Sequence, residues 1–455
     1  MNEHTSRRDV LRLAAVGGTV ALAGGISPSA FGATNERCDA DKAADRAADR
    51  IVRSIQRPRI PRRDFVITDY GSIQAAIRAA SAKGGGRVVV PAGTWPTGPI
   101  RLASRIDLHL AEGATLLFDT DPRAYLPTVH SRWQGIELMN YSPLIYAYGE
   151  HDISVTGKGV LDGQASAANW WAWKKPGDAD FPVFEASVNA GLPVEQRDGT
   201  KYHFRPAFIE PYHCERVLIE GVTLRNSPFW HLHPTLCHDV TIRDVTVAST
   251  GPNTDGCDPE SCDGVLLDRM SFDVGDDCVA IKSGRDADGR RVDVPCQHVV
   301  IQNSTFAAGH GGITIGSEMT GGVREVYARD LAMTSTSLQA GHRLKTNSVR
   351  GGFIEASHVW RVDVSAIGGP LLLIDYNYGE GNTGSYPPVV TDINLSHWTV
   401  AGAMQGWDIK GYPNDPIGTV RLRDVTIAGA LTTPNVAANV SDLLLTDVVI
   451  DGVPQ

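Results

Sequence analysis

Seven stretches of this chain repeat one eight-residue pattern, and that repetition constrains the fold more than any other feature. They begin at Val217 (VLIEGVTL), Val240 (VTIRDVTV), Val265 (VLLDRMSF), Val299 (VVIQNSTF), Val326 (VYARDLAM), Val420 (VRLRDVTI) and Leu443 (LLLTDVVI). Apolar residues hold the first and third positions, a polar or charged residue usually the fourth, and mostly apolar residues the sixth and eighth. The steps are 23 (217 to 240), 25 (240 to 265), 34 (265 to 299), 27 (299 to 326) and 23 (420 to 443). Apolar residues two apart mean strands, because side chains along a strand alternate between faces. Each unit is too short to close a core of its own, so the units must stack into a solenoid. Propeller blades need about 40 residues or more, and leucine-rich repeats carry a leucine and asparagine signature that is missing here. The pattern predicts an all-β parallel β-helix.

The cysteines give an independent reading of the register. Cys214, Cys237, Cys262 and Cys296 each lie three residues before a repeat start, which predicts a ladder along the coil axis. Stacked strands about 4.8 Å apart are within reach of disulfide geometry. Two bridges, Cys214 with Cys237 and Cys262 with Cys296, and a ladder of buried free thiols are equally compatible with that spacing. The 47 glycines suit the corners of such coils. A net charge of −10 argues against a nucleic-acid partner, although a local cationic pocket can still hold an acidic ligand.

The N-terminus reads as a targeting segment. Ser6-Arg7-Arg8-Asp9-Val10-Leu11 precedes a weakly apolar run over residues 13–22, the pattern of a twin-arginine export signal over residues 1–32. That run is too short to span a bilayer, so the expectation is an exported protein, periplasmic or secreted, with no membrane contact after signal removal. Residues 33–63 read as a helical cap and linker, with Ala, Asp and Arg at helical spacing over 39–56 and a proline-rich stop. Residues 64–455 read as the β-helix domain, opening with a second helix over 73–80. An excursion over residues 164–206, carrying Trp170, Trp171 and Trp173, should leave the coils as a loop. Its aromatics would either stack on sugar rings or pack on the solenoid wall.

Within the repeats lie four polar groups: Asn253-Thr254-Asp255, Gly275-Asp276-Asp277, Gly309-His310-Gly311 and Arg343-Leu344-Lys345. Aligning the segments 256–261, 278–283 and 312–317 puts Val279, Ile281, Ile313 and Ile315 inward and Cys278, Ala280, Lys282 and Thr314 outward. Asp255, Asp276, Asp277, His310, Arg343 and Lys345 then share one wall over about four coils. Taken singly, each aspartate reads as a turn residue. Together they suit acid and base work on a glycosidic bond, with at least one crowded carboxylate keeping its proton near neutral pH. The two cations suit the carboxylate of a uronate sugar.

NTD, GDD, GHG and R-L-K in this order resemble the polygalacturonase group, glycoside hydrolase family 28, from about Asp64 to the C-terminus. The insertion over 284–297 resembles the bacterial exo-acting members, which release units from a chain end. The resemblance implies a right-handed β-helix, a pectic polysaccharide or oligogalacturonide as substrate, and inverting hydrolysis without a metal or other cofactor. It implies Asp276 as the general acid, Asp255 and Asp277 as the pair that activates water, and His310 as the keeper of the acid's state. Arg343, Lys345, Asn253 and Lys282 would bind substrate. His342 falls on an inward position, so either the register breaks there or a buried histidine finds a partner. His231 and His233 read as structural or groove-lining. The insertion 284–297 would wall off one end of the groove, with Arg285, Arg290 and Arg291 either touching substrate or paired within a solvated loop. Rival readings are a rhamnogalacturonan or xylogalacturonan hydrolase, a calcium-dependent polysaccharide lyase and a non-catalytic carbohydrate-binding solenoid.

Overall fold

The computed structural model describes residues 29–455, with side chains from Asp41 onward. Residues 1–28, which hold most of the expected export signal, lie outside the described residues. The chain divides into two compact units, ending and beginning at Ala43 and Ala44. The described part of the first is the N-terminal portion of helix α1 (Ser29–Ser54). The second is a right-handed parallel β-helix whose coils stack in a 21-stranded and a 6-stranded sheet. Among the described strands, antiparallel pairing occurs only in the hairpin Val129–Trp133/Ile136–Asn140 and between Val440–Ile450 and Val453–Pro454.

The repeat sets the register. Val217 pairs with Val240, Val240 with Val265, Val265 with Val299 and Val299 with Val326, and Val420 pairs with Leu443. From Val217 to Val326 these valines stack inside the coils with at most 3% exposure. The gap between Val326 and Val420 is filled by Ser357 and Ile393 at the same position. A serine at that inward position hides the coil from a hydrophobic search, and its partner explains it. Ser357 Oγ lies 3.0 Å from Nε2 of His342, whose Nδ1 is 3.0 Å from the Ile313 carbonyl. The register therefore does not break at His342. The buried ring finds two partners, and burial pushes its pKa down to about 4.

The fifth position of the pattern bends the strand. Gly221, Asp244, Arg269, Asn303, Asp330, Asp424 and Asp447 occupy it, and all have φ between 51° and 81°, in the left-handed region. The glycine count therefore does not explain these corners, since Asp, Asn and Arg fill most of them. Asp and Asn tolerate this conformation better than most side chains. The outward-pointing groups also pair across coils, as Arg269 does with Asp244 at 2.6 Å and Arg361 with Asp330 at 2.7 Å. The cysteine ladder forms as free thiols. Cys237, Cys262 and Cys296 are buried and donate to the carbonyls of Pro211, Pro234 and Pro259 in the preceding coil.

The end cap is α2 (Ile73–Ala82), not α1. Ser72 caps α2 by accepting from the Ala75 N–H, and Ile73, Ala76, Ile77 and Ala80 bury against the first coils. From Ala44 on, α1 lies along the side of the solenoid. There Ala44, Ala48 and Ile51 pack on Leu266, Val300, Tyr327 and Trp360, while Asp45 and Asp49 pair with Arg329. The tryptophan excursion is not an open loop. It folds into a 3-10 turn, Trp170–Trp173, and α3 (Lys174–Asn189). Trp170 is buried, and Trp171 donates from Nε1 to the Ser227 carbonyl, so these rings pack on the wall. No helix among the described residues is long and apolar enough to cross a membrane.

Candidate active site

Three neighbouring strands, Val279–Ile281, Ile313–Ile315 and His342–Lys345, carry the site. Val279 pairs with Ile313 and Ile313 with His342, and Cys257 extends the row one coil earlier. This register puts Asp255 beside Asp277 and His310 beside Asp276. Carboxylate oxygens of Asp255, Asp276 and Asp277 lie within 4.8 Å of one another. His310 Nδ1 is 2.9 Å from Asp276 Oδ1, which also accepts the Asp277 N–H at 3.0 Å. Asp277 is engaged at both oxygens. Its Oδ1 accepts from Thr314 Oγ1 (2.9 Å) and Arg343 Nη1 (3.3 Å), and its Oδ2 from Lys345 Nζ (2.7 Å). The small residue in Gly-His-Gly is a matter of space, since a Cβ on Gly311 would lie 2.2 Å from Thr314 Oγ1 and 3.0 Å from Asp277 Oδ1.

The three acids differ in environment. Burial, with Asp276 and Asp258 adding repulsion, pushes the Asp255 carboxyl well up. Burial also acts to raise Asp277, but Lys345 and Arg343 outweigh it and hold that carboxyl at about 2. Asp276 alone has a side chain with appreciable exposure, 17% against none for Asp277. It is therefore the one of the three acids that a molecule in solvent can reach. Its hydrogen bond raises the pKa of His310, against the opposing effect of partial burial.

Lys282 does not face the groove as the sequence reading had it. It is buried, with Nζ 2.8 Å from Glu318 Oε2, 3.8 Å from Asp258 Oδ1 and 4.6 Å from the centre of the Trp230 ring. Burial opposes its charge, but Glu318 and Asp258 keep it protonated. Cys278 also departs from expectation, turning into the core and donating to the Ala308 carbonyl. Four further residues join the site unannounced: Asp258, Glu318, Tyr378 and Arg205. Asp258 was within reach of the alignment that placed Lys282, since Cys257 and Glu260 pair with Val279 and Lys282. Tyr378, with its ring beneath Arg343 and Lys345, lies in an irregular segment with no repeat signal.

The groove is closed on its N-terminal side. His231 and His233 occupy the outer face of the preceding coil and are buried under a second hydrophobic core of Trp133, Phe181, Phe184, Phe204, Phe229 and Trp230. The insertion 284–297 forms α4 (Asp286–Val292), not a solvated loop. Arg285 pairs with Glu185 at 2.8 Å and Glu380 at 2.7 Å, and Arg291 pairs with Asp288 and Glu137. Arg290 lies over the Tyr386 ring. The tip of the Val129–Asn140 hairpin abuts this cluster at Gly135, where φ is +80° and a Cβ would meet Arg285 and Glu318 below 3 Å. In the C-terminal direction, Leu373 and Asp408 on the same outer row are only partly covered.

Residues 191–443 match the family model described as "Glycosyl hydrolases family 28". The chain is similar to an exopolygalacturonase from Thermotoga maritima, with 37% identity, a TM-score of 0.86 and coverage of 90% of this chain and 97% of that one. It is 29% identical over 360 residues to a probable polygalacturonase of Vitis vinifera, covering 76% of this chain and 67% of the relative. It is 24% identical over 373 residues to an exo-poly-alpha-D-galacturonosidase of Dickeya chrysanthemi, of which the match spans 59%. The chain is a glycoside hydrolase and belongs to the glycosyl hydrolases family 28.

Proposed function

We propose that this protein hydrolyses α-1,4-linked galacturonate in pectic chains, acting from a chain end, after twin-arginine export from the cytoplasm. The observation that carries the reading is one solvent-facing aspartate, Asp276, set against two buried ones and two cations. In that arrangement Asp276 protonates the leaving oxygen, while Asp255 and Asp277 hold the attacking water. Arg343 and Lys345 bind the uronate carboxylate above Tyr378. Oxygens within 4.8 Å are closer than the roughly 6.5–9.5 Å usual for an inverting pair. Inversion is favoured nonetheless, because neither buried acid is a free nucleophile. Lys345, Arg343 and Thr314 take three of the four lone-pair sites of Asp277, which leaves one on Oδ2 for the attacking water, and burial holds Asp255 towards its protonated form.

The closed N-terminal side supports attack from a chain end. Polygalacturonate digestion should release galacturonate monomer alone from the first minutes, with the anomeric proton signal of inverted product. A ladder of oligomers would overturn the exo reading, and retained configuration the mechanism. Unsaturated products absorbing in the ultraviolet would point to a lyase, and binding without cleavage to a non-catalytic solenoid. Rhamnogalacturonan and xylogalacturonan belong in the same comparison as competing substrates.

Lys345→Ala should raise KM about tenfold or more for galacturonate oligomers, since charged hydrogen bonds are the strong ones. The same variant should alter turnover of methyl-esterified oligomers much less. Any disturbance of Asp277 affects both substrates, so the ratio isolates the carboxylate. Equal losses would remove the cation from substrate recognition.

A further inference from the structure

We propose that Arg205 is a positioning residue for this reaction, fixing the Asn253 amide so that its NH2 end faces the Asp276 carboxylate. The inference rests on Asp276 as the general acid.

Arg205 stands where the 164–206 excursion rejoins the coils, and it is 1% exposed. A buried guanidinium is normally paired with a carboxylate. Among the described residues, Arg205 has none within ion-pair distance. Its Nη1 donates to the carbonyls of Pro228 (3.0 Å) and Pro252 (2.8 Å), and its Nη2 to Asn253 Oδ1 (2.7 Å). The guanidinium lies 5.1 Å from the centre of the Phe229 ring. Burial accordingly pushes its pKa down to about 10, with Asp178, Asp255 and Asp276 opposing from beyond hydrogen-bond reach.

The consequence falls on Asn253, whose backbone is left-handed (φ 54°) and whose Nδ2 lies 3.5 Å from Asp276 Oδ2. A side-chain amide can present either its oxygen or its NH2, and the two orientations fit almost the same space. Arginine only donates, so the amide oxygen must turn to Arg205 and the NH2 is left for Asp276. With the Asp277 N–H and His310 on Oδ1, donors then address both oxygens of the acid. Such donors stabilise the charge that collects on the carboxylate as it gives up its proton. The 3.5 Å contact is long for a ground state, and catalytic hydrogen bonds commonly tighten in the transition state. The charged or titratable groups facing Asp276 are Asp255, Asp258, Asp277, Cys278, His310 with Arg343 beyond it, and Arg205.

The test is the pH profile of kcat/KM in Arg205→Met and Arg205→Lys, each also built on Asn253→Ala. Expected in the single Arg205 variants is an alkaline limb displaced upward, by about half a pH unit in Met and by less in Lys, which also only donates. Their kcat should fall about threefold to tenfold with KM within about twofold. Asn253→Ala alone should displace the limb in the same direction, and Arg205→Met on that background should add no further displacement. A displacement that persists there means Arg205 acts only through its charge and overturns the proposal. Unmoved limbs in whichever of these variants fold, Asn253→Ala included, overturn it too. Asp276→Asn assayed alongside separates the two readings. If that variant is inactive while the limbs stay put, only the role of Arg205 falls. If it stays active, the acid assignment falls first.

Discussion

Asp276→Asn should lower kcat on polygalacturonate by about 10²–10⁴-fold, with KM little changed and thermal unfolding within about 0.5 kcal/mol of the parent. The separation of these effects follows from where the side chain sits. Asparagine keeps an oxygen for the Asp277 N–H and His310, so those two hydrogen bonds survive and only the long contact with Asn253 is lost. What it lacks is a proton to give, a deficit felt only in the transition state. Its partner histidine adds a pH signature. The pKa of His310 is raised by the bond to Asp276, so the pair contributes its full stabilisation below about pH 6.5. That contribution is lost as pH rises through the raised value. In Asp276→Asn the pH dependence of stability across that window should flatten. Turnover within threefold of the parent would show that another group delivers the proton.

The sequence made the coils and most of the wall legible because both rest on periodicity. Aligning the segments after each polar motif placed Asp255, Asp276, Asp277, His310, Arg343 and Lys345 on one wall without coordinates, and the pairings Val217–Val240 through Val299–Val326 follow the repeat starts. Illegible residues belong to two classes. Some interrupt the pattern for a local reason, as Ser357 does by satisfying His342. Others arrive from segments with no period at all, as Arg205 and Tyr378 do. The exposure expected of Lys282 failed for a third reason. Alternation correctly sends it outward from the coil, but outward is not the same as exposed where α4 and the 129–140 hairpin cover the face. Nor did helical spacing over 39–56 reveal which surface α1 would bury, because an amphipathic stripe names a face and not its partner.

Lys282 itself then gives the second large effect, on stability. It is the cation between Glu318 at 2.8 Å and Asp258 at 3.8 Å, and neither oxygen of Asp258 has a hydrogen-bond partner. Lys282→Met keeps the stem against Trp230 and removes the charge, leaving Glu318 short of a counterion, while Asp258, whose carboxyl burial already pushes well up, loses the cation that opposes that shift. Breaking a buried pair in this one-sided way costs about 3–5 kcal/mol. The pH dependence fixes the cause. Burial acts to raise the carboxyl of Glu318, but Lys282, Arg285 and Arg350 together hold it well below its ordinary 4.5. A depressed acid stabilises the fold above its unfolded value, and that stability is lost as pH falls through the depressed one. Without Lys282, Glu318 and Asp258 can take up protons at higher pH and relieve the strain. Denaturant unfolding should therefore show the variant far weaker than the parent at pH 7 and closer to it near pH 4. Adding Glu318→Gln should restore part of the loss at pH 7. A variant as stable as the parent at pH 7, with a raised KM for galacturonate oligomers, would instead return Lys282 to the substrate.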